Sequence, residues 1–93
     1  MRNLKNKVAV VTGGSSGIGK AIAVELADNG CKLAVIGTSQ SRIDATLAMM
    51  PAAQECRGYV CDVSDRAAVA NVADAVEQDF GDINIIVNNA GIA

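Results

Sequence analysis

The chain of 93 residues contains no histidine, no tryptophan, one proline, and only two aromatic side chains, Tyr59 and Phe80. Without histidine, and with cysteines that never form a Cys-x-x-Cys pair, the usual zinc ligand sets are missing. Two aromatics give almost nothing on which to stack bases. Eight basic residues against ten acidic ones leave a net charge of −2, so no basic field exists to attract a phosphate backbone or an anionic membrane. Long apolar runs are also missing: stretches such as residues 8–11, 33–36 and 85–87 are far below the roughly 18 that a membrane span needs. The start, Met1-Arg2-Asn3-Leu4-Lys5-Asn6-Lys7, is basic like a secretion signal. The apolar run behind it stops at Thr12-Gly13-Gly14, short of the roughly 7–15 residues of a signal core. It reads as a polar lead-in to a buried strand, and the expected setting is the cytosol. The three cysteines are an odd number, expected as reduced thiols acting as small hydrophobes. Cys56 and Cys61, five apart on one expected strand, should point to opposite faces.

What is present is a well-patterned apolar chain, 51% hydrophobic and therefore not disordered, and long enough for one domain. Residues 7–12 form a continuous β-branched run, as in a strand buried on both faces. Ile18, Ala21, Ile22 and Leu26 then fall on one helical stripe, ended by Asn29-Gly30. Residues 32–37 predict a second strand. Ser41 is a candidate N-cap with Asp44 three residues on, Ile43, Leu47 and Met50 share a helix face, and Pro51 stops that helix. Residues 57–62 predict a third strand. Ser64 is a candidate cap for a helix with the stripe Val69, Val72, Ala73, Val76 and Phe80, ended by Gly81. Residues 83–87 predict a fourth strand. The pattern is βαβαβαβ, which implies an α/β fold with a parallel sheet and right-handed crossovers, the first two helices on one face and the third on the other.

Between the first strand and the first helix stands Thr12-Gly13-Gly14-Ser15-Ser16-Gly17-Ile18-Gly19. Several backbone N–H groups and a helix start meet there, which favours an anionic ligand. Gly13 allows the tight turn, Gly17 lets a diphosphate approach, Gly19 lets helix and strand pack closely, and Ser15 and Ser16 can donate hydroxyl hydrogen bonds. The spacing is Gly-x-x-x-Gly-x-Gly. A phosphate-binding P-loop is excluded, because Gly19-Lys20 is followed by Ala21 rather than Ser or Thr.

This segment resembles the cofactor motif of the short-chain dehydrogenase/reductase family. Cys61-Asp62-Val63 and Asn88-Asn89-Ala90-Gly91 resemble that family's next two motifs, in order and spacing. Val35-Ile36-Gly37-Thr38 and the stretch 82–92 resemble the 3-oxoacyl-acyl-carrier-protein reductase type. The resemblance covers essentially the whole chain. It implies the N-terminal portion of a Rossmann-type doubly wound sheet that binds a nicotinamide dinucleotide, NADP or NAD.

An NAD enzyme usually places an acid about 20 residues past the glycines to hold the ribose 2′-hydroxyl. Here the second strand ends Gly37-Thr38-Ser39, with no carboxylate to repel a 2′-phosphate and two hydroxyls able to donate to it. The choice is NADP, with NAD as the alternative. Ser16 stands where many NADP-using members carry arginine. The nearest cation, Arg42, reads equally as a solvated helix residue. By resemblance Asp62 and Val63 face the adenine, the carboxylate accepting from the amino group and the Val63 N–H donating to a ring nitrogen. The other reading of Asp62 is a loop residue ahead of the Ser64 cap. Asn89, Ala90 and Gly91 would lie under the nicotinamide-side ribose, and Asn89 can also bridge neighbouring strands.

The family's chemistry is hydride transfer to or from a carbonyl or alcohol carbon, with a tyrosine, a lysine four residues later, and a serine. Tyr59 is followed four residues on by Val63, so no catalytic residue is assigned. Residues 1–93 are expected to be a partial NAD(P)-binding domain truncated after the fourth strand, inactive alone, from a homo-oligomeric parent acting on a small carbonyl or alcohol substrate. The competing readings are a non-catalytic dinucleotide-binding module and an interaction module that lends a sheet edge.

Overall fold

The computed structural model describes residues 4–14, 17–51 and 54–89. Four strands, β1 (Val8–Thr12), β2 (Lys32–Gly37), β3 (Cys56–Val60) and β4 (Ile85–Asn88), alternate with three helices, α1 (Gly17–Asp28), α2 (Gln40–Leu47) and α3 (Arg66–Phe80). All strand pairs are parallel, in the order β3-β2-β1-β4. The expected βαβαβαβ order therefore holds.

Alternation along the central strands builds two cores. Ala9, Val11, Leu33 and Val35 point to one face, under Ala23 and Ala27 of α1 and Ile43 of α2. Val8, Val10, Ala34 and Ile36 point to the other, where Val76, Val72 and Phe80 of α3 pack. Cys56 joins the first cluster and Cys61 the second, so the two thiols do lie on opposite faces. On its own face α3 leaves Ile86 of β4 69% exposed.

The helices differ from expectation in their faces and caps. The buried stripe of α1 is Gly19, Ala23 and Ala27, while Ile18 is 64% exposed. Small side chains let the helix axis approach the sheet, and that close approach rather than side-chain size sets which face turns inward. The cap of α2 is Ser39, not Ser41: its side chain accepts the Arg42 N–H, and the helix ends at Leu47, well before Pro51. The cap of α3 is Asp65, not Ser64, its carboxylate accepting the Ala68 N–H at 3.1 Å. The inward row of α3 likewise runs through Ala68, Val72, Val76 and Phe80, while Val69 is exposed.

Strand β4 is hung on β1 at both ends. The Asn84 side chain accepts the Val8 N–H at 2.9 Å, while the Asn84 N–H donates to the Val8 carbonyl at 2.9 Å. The other end is tied through Thr12, beside the glycine turn.

Candidate functional site

The carboxyl ends of the four strands gather the sequence-predicted residues at one rim of the sheet. In open α/β sheets this rim is where ligands sit. Gly13 and Gly14 follow β1, Gly17, Ile18 and Gly19 open α1, Thr38 and Ser39 follow β2, Asp62 and Val63 follow β3, and Asn89 follows β4. Ser15, Ser16, Ala90 and Gly91 lie outside the described residues.

The turn after β1 is built from backbone geometry that its glycines permit. Gly13 has φ 66°, in the left-handed region, and donates its N–H to the Ile36 carbonyl at the end of β2, 2.8 Å away. A side chain on Gly19 would collide with the Gly13 carbonyl and come within 2.6 Å of the Asn89 Nδ2. Helix α1 can therefore start this close to the strand only with glycine there. At Gly17 the opposite holds: among the described residues, chain neighbours and the helix's own backbone aside, nothing lies within 4 Å of where a Cβ would stand. The first turn of α1 carries no acidic residue, so its N-terminal partial positive charge is not met by the helix's own side chains.

A hydroxyl and an amide weld this turn to β4. Thr12 Oγ1 donates toward Asn88 Oδ1 at 3.0 Å or the Val87 carbonyl at 3.4 Å, and accepts the Asn89 N–H at 3.1 Å. Asn89 Nδ2 donates to the Gly13 carbonyl at 3.4 Å. That bond fixes which way the amide faces, since the reverse orientation would set two oxygens against each other. Asn89 Oδ1 is buried and has no hydrogen-bond partner among the described residues. In the sequence only the position of Thr12, last on β1 and directly before the glycines, marks it.

At the end of β2, Ser39 Oγ accepts the Arg42 N–H at 3.4 Å and lies 3.1 Å from Ser41 Oγ, so the Ser39 hydroxyl proton is not engaged by the cap bond. Thr38 is exposed beside it. After β3, Asp62 Oδ1 accepts both the N–H and the hydroxyl of Ser64, at 2.9 and 2.7 Å, and these bonds hold its carboxyl below the ordinary aspartate range. Tyr59, the single tyrosine, faces α3 and donates to Asp79 Oδ2 at 2.6 Å. Burial first, and then the Asp79 carboxylate, push its phenol above the ordinary tyrosine value of 10.0. A phenol held protonated in this way is the reverse of one prepared to act as a base.

These residues fit a dinucleotide. Among the described residues, open space over Gly17, a first helical turn without an acidic residue and a buried acceptor without a donor are what a diphosphate flanked by ribose hydroxyls calls for.

Comparison with known proteins agrees in sequence and in fold. The chain is 41% identical over 90 residues to the 3-oxoacyl-[acyl-carrier-protein] reductase FabG of Escherichia coli (strain K12), which covers 97% of this chain and 36% of that protein. A metagenomic short-chain oxidoreductase solved in complex with NADP superposes with TM-score 0.89 at 35% identity, covering 98% of this chain and 42% of that one. An NAD+-bound xylitol dehydrogenase superposes with TM-score 0.87 at 34% identity, covering 91% of this chain and 33% of that one. The chain thus spans little more than a third of the length of these relatives. The family model described as short chain dehydrogenase matches residues 7–93, and this chain belongs to that family.

Proposed function

We propose that this chain supplies the coenzyme-binding strands of an oxidoreductase that uses NADP in preference to NAD and acts on a small carbonyl or alcohol substrate. The nicotinamide, when bound, gives or takes the hydride. The chain's own residues bind and orient. The backbone N–H groups at the start of α1 hold the diphosphate, and the absence of a side chain at Gly17 leaves it room. Thr38 and Ser39 donate to the 2′-phosphate, where a carboxylate would repel it. Asp62 and Val63 recognise the adenine, and Asn89 Oδ1 accepts from a hydroxyl of the second ribose.

The observation that carries this reading is Asn89 Oδ1. Among the described residues this buried acceptor has no donor, which costs on the order of 1–3 kcal/mol, and the same amide is anchored through its Nδ2 to the Gly13 carbonyl at the coenzyme rim. For the substrate, we place a 3-oxoacyl thioester first, on the resemblance of residues 35–38 and 82–92 to that reductase type. A cytosolic setting is supported by three unpaired thiols, two of them buried.

Titration of the 93-residue protein with NADPH and NADH, followed by nicotinamide fluorescence, tests the reading. Micromolar binding of NADPH, with NADH roughly tenfold weaker, is the expected result, one hydrogen-bonded phosphate being worth about that factor. Silence with both coenzymes would sink it. Equal binding would overturn the preference for NADP alone.

A further inference from the structure

Ser64 stands where a helix cap is expected, yet its hydroxyl does not cap. Asp65 takes that role for α3. The Ser64 hydroxyl donates at 2.7 Å to Asp62 Oδ1, and the Ser64 N–H donates to the same oxygen at 2.9 Å. Among the described residues no hydrogen bond falls on Asp62 Oδ2. The turn is closed by the Asp65 N–H, which donates to the Asp62 carbonyl at 3.0 Å.

We infer that Ser64 is a positioning residue: it locks the Asp62 carboxylate so that the second oxygen is presented, already ordered, to the 6-amino group of a bound purine. The inference rests on the coenzyme reading above and extends it to base selectivity. Asp62 is exposed, and a free aspartate on a surface loop loses rotamer freedom when it engages a ligand. Two bonds to one oxygen remove most of that freedom beforehand. They also favour the ionised carboxylate, which accepts from an amino group and repels a carbonyl oxygen. The selectivity that follows is for adenine over hypoxanthine, whose 6-position carries an oxygen.

The test measures the affinity ratio of NADP to its hypoxanthine analogue in the wild-type chain and in Ser64→Ala, Asp62→Ala and the double variant. The wild type should favour adenine by roughly tenfold or more. Ser64→Ala should cut that ratio about three- to tenfold, the worth of one lost hydrogen bond. In the Asp62→Ala background the same change should cost nothing further, because Ser64 then has no carboxylate to hold. Ser64→Thr keeps the hydroxyl and should keep the wild-type ratio, which preserves the test if the alanine variant fails to fold. A wild-type ratio in Ser64→Ala, an added loss in the double variant, or a collapsed ratio in folded Ser64→Thr would each overturn the inference. Wild-type binding without base preference overturns it while the coenzyme reading stands. No dinucleotide binding at all removes both.

Discussion

The backbone N–H of Asn89 donates to the hydroxyl of Thr12 at 3.1 Å across a sequence separation of 77 residues. One hydroxyl thus joins the carboxyl ends of β1 and β4, accepting from Asn89 while its own proton goes to Asn88 Oδ1 or the Val87 carbonyl. Thr12→Val keeps the shape of the side chain and removes both bonds. At about 1 kcal/mol for each, the variant should lose on the order of 1–3 kcal/mol of stability in urea unfolding, with the Asn89 amide the first to gain hydrogen exchange. Thr12→Ser should stay close to wild type.

Gly17 and Gly19 separate two reasons for glycine in one motif. At Gly19 a methyl group meets the Gly13 carbonyl and the Asn89 side chain, so Gly19→Ala must push α1 away from the turn. The expected result is loss of NADPH binding by more than tenfold, together with about 1–3 kcal/mol of stability, as for other overpacked sites. At Gly17 the space is open among the described residues but φ is 49°, so Gly17→Ala costs about 1 kcal/mol of backbone strain and sets a methyl at the proposed diphosphate site. Its binding defect should exceed its stability defect. Comparing chemical denaturation with coenzyme titration for the two variants distinguishes them.

Much of this architecture was legible beforehand because period 2 and period 3.6 alternate cleanly along the chain. Val8–Thr12 is β-branched or small throughout, Lys32–Gly37 is apolar after its first residue, and both read as strands buried on both faces. The inward face of α1 was misread because hydrophobicity favours Ile18 and Ile22, whereas the helix sits so close to the sheet that Gly19, Ala23 and Ala27 must face it. Both helix caps were displaced because polar residues come in tandem. Any of Ser39, Gln40 and Ser41, or of Asp62, Ser64 and Asp65, can offer an acceptor, and only the backbone path decides which one faces the first turn. The residues of the rim could be named from their motifs. The Thr12–Asn89 bond could not, since nothing local to either residue announces a partner on the far side of the chain.

Gly58 shows close approach without any unusual backbone angle. It lies on β3 beneath α2, and a Cβ there would run into Ile43 Cγ2 and come within 3.3 Å of Leu47 Cδ1. Ile43 is fully buried and cannot swing outward. Gly58→Ala should therefore destabilise the protein by about 1–3 kcal/mol. Pairing it with Ile43→Ala, which removes the Cγ2 methyl that the new Cβ would meet, should cost less than the sum of the two single variants in a double-mutant cycle of unfolding free energies.

Tyr59 offers a reading of the α3 face that needs no label, because the chain has one tyrosine and no tryptophan. Burial and the hydrogen bond to Asp79 raise the phenol's folded-state pKa above its ordinary 10.0. A group whose folded pKa is raised contributes stability that is complete below the unfolded value and is lost as pH climbs past it. The protein should accordingly hold constant stability with respect to this group up to about pH 9 and weaken above pH 10, where the unfolded chain ionises and the folded one resists. The ultraviolet absorbance of the phenolate should rise together with unfolding rather than before it. Tyr59→Phe should lose about 1 kcal/mol or less at neutral pH, the bond being partly exposed, and should flatten the alkaline limb. If the phenol titrates at its ordinary pH while the fold remains intact, the tie between β3 and α3 contributes nothing in solution.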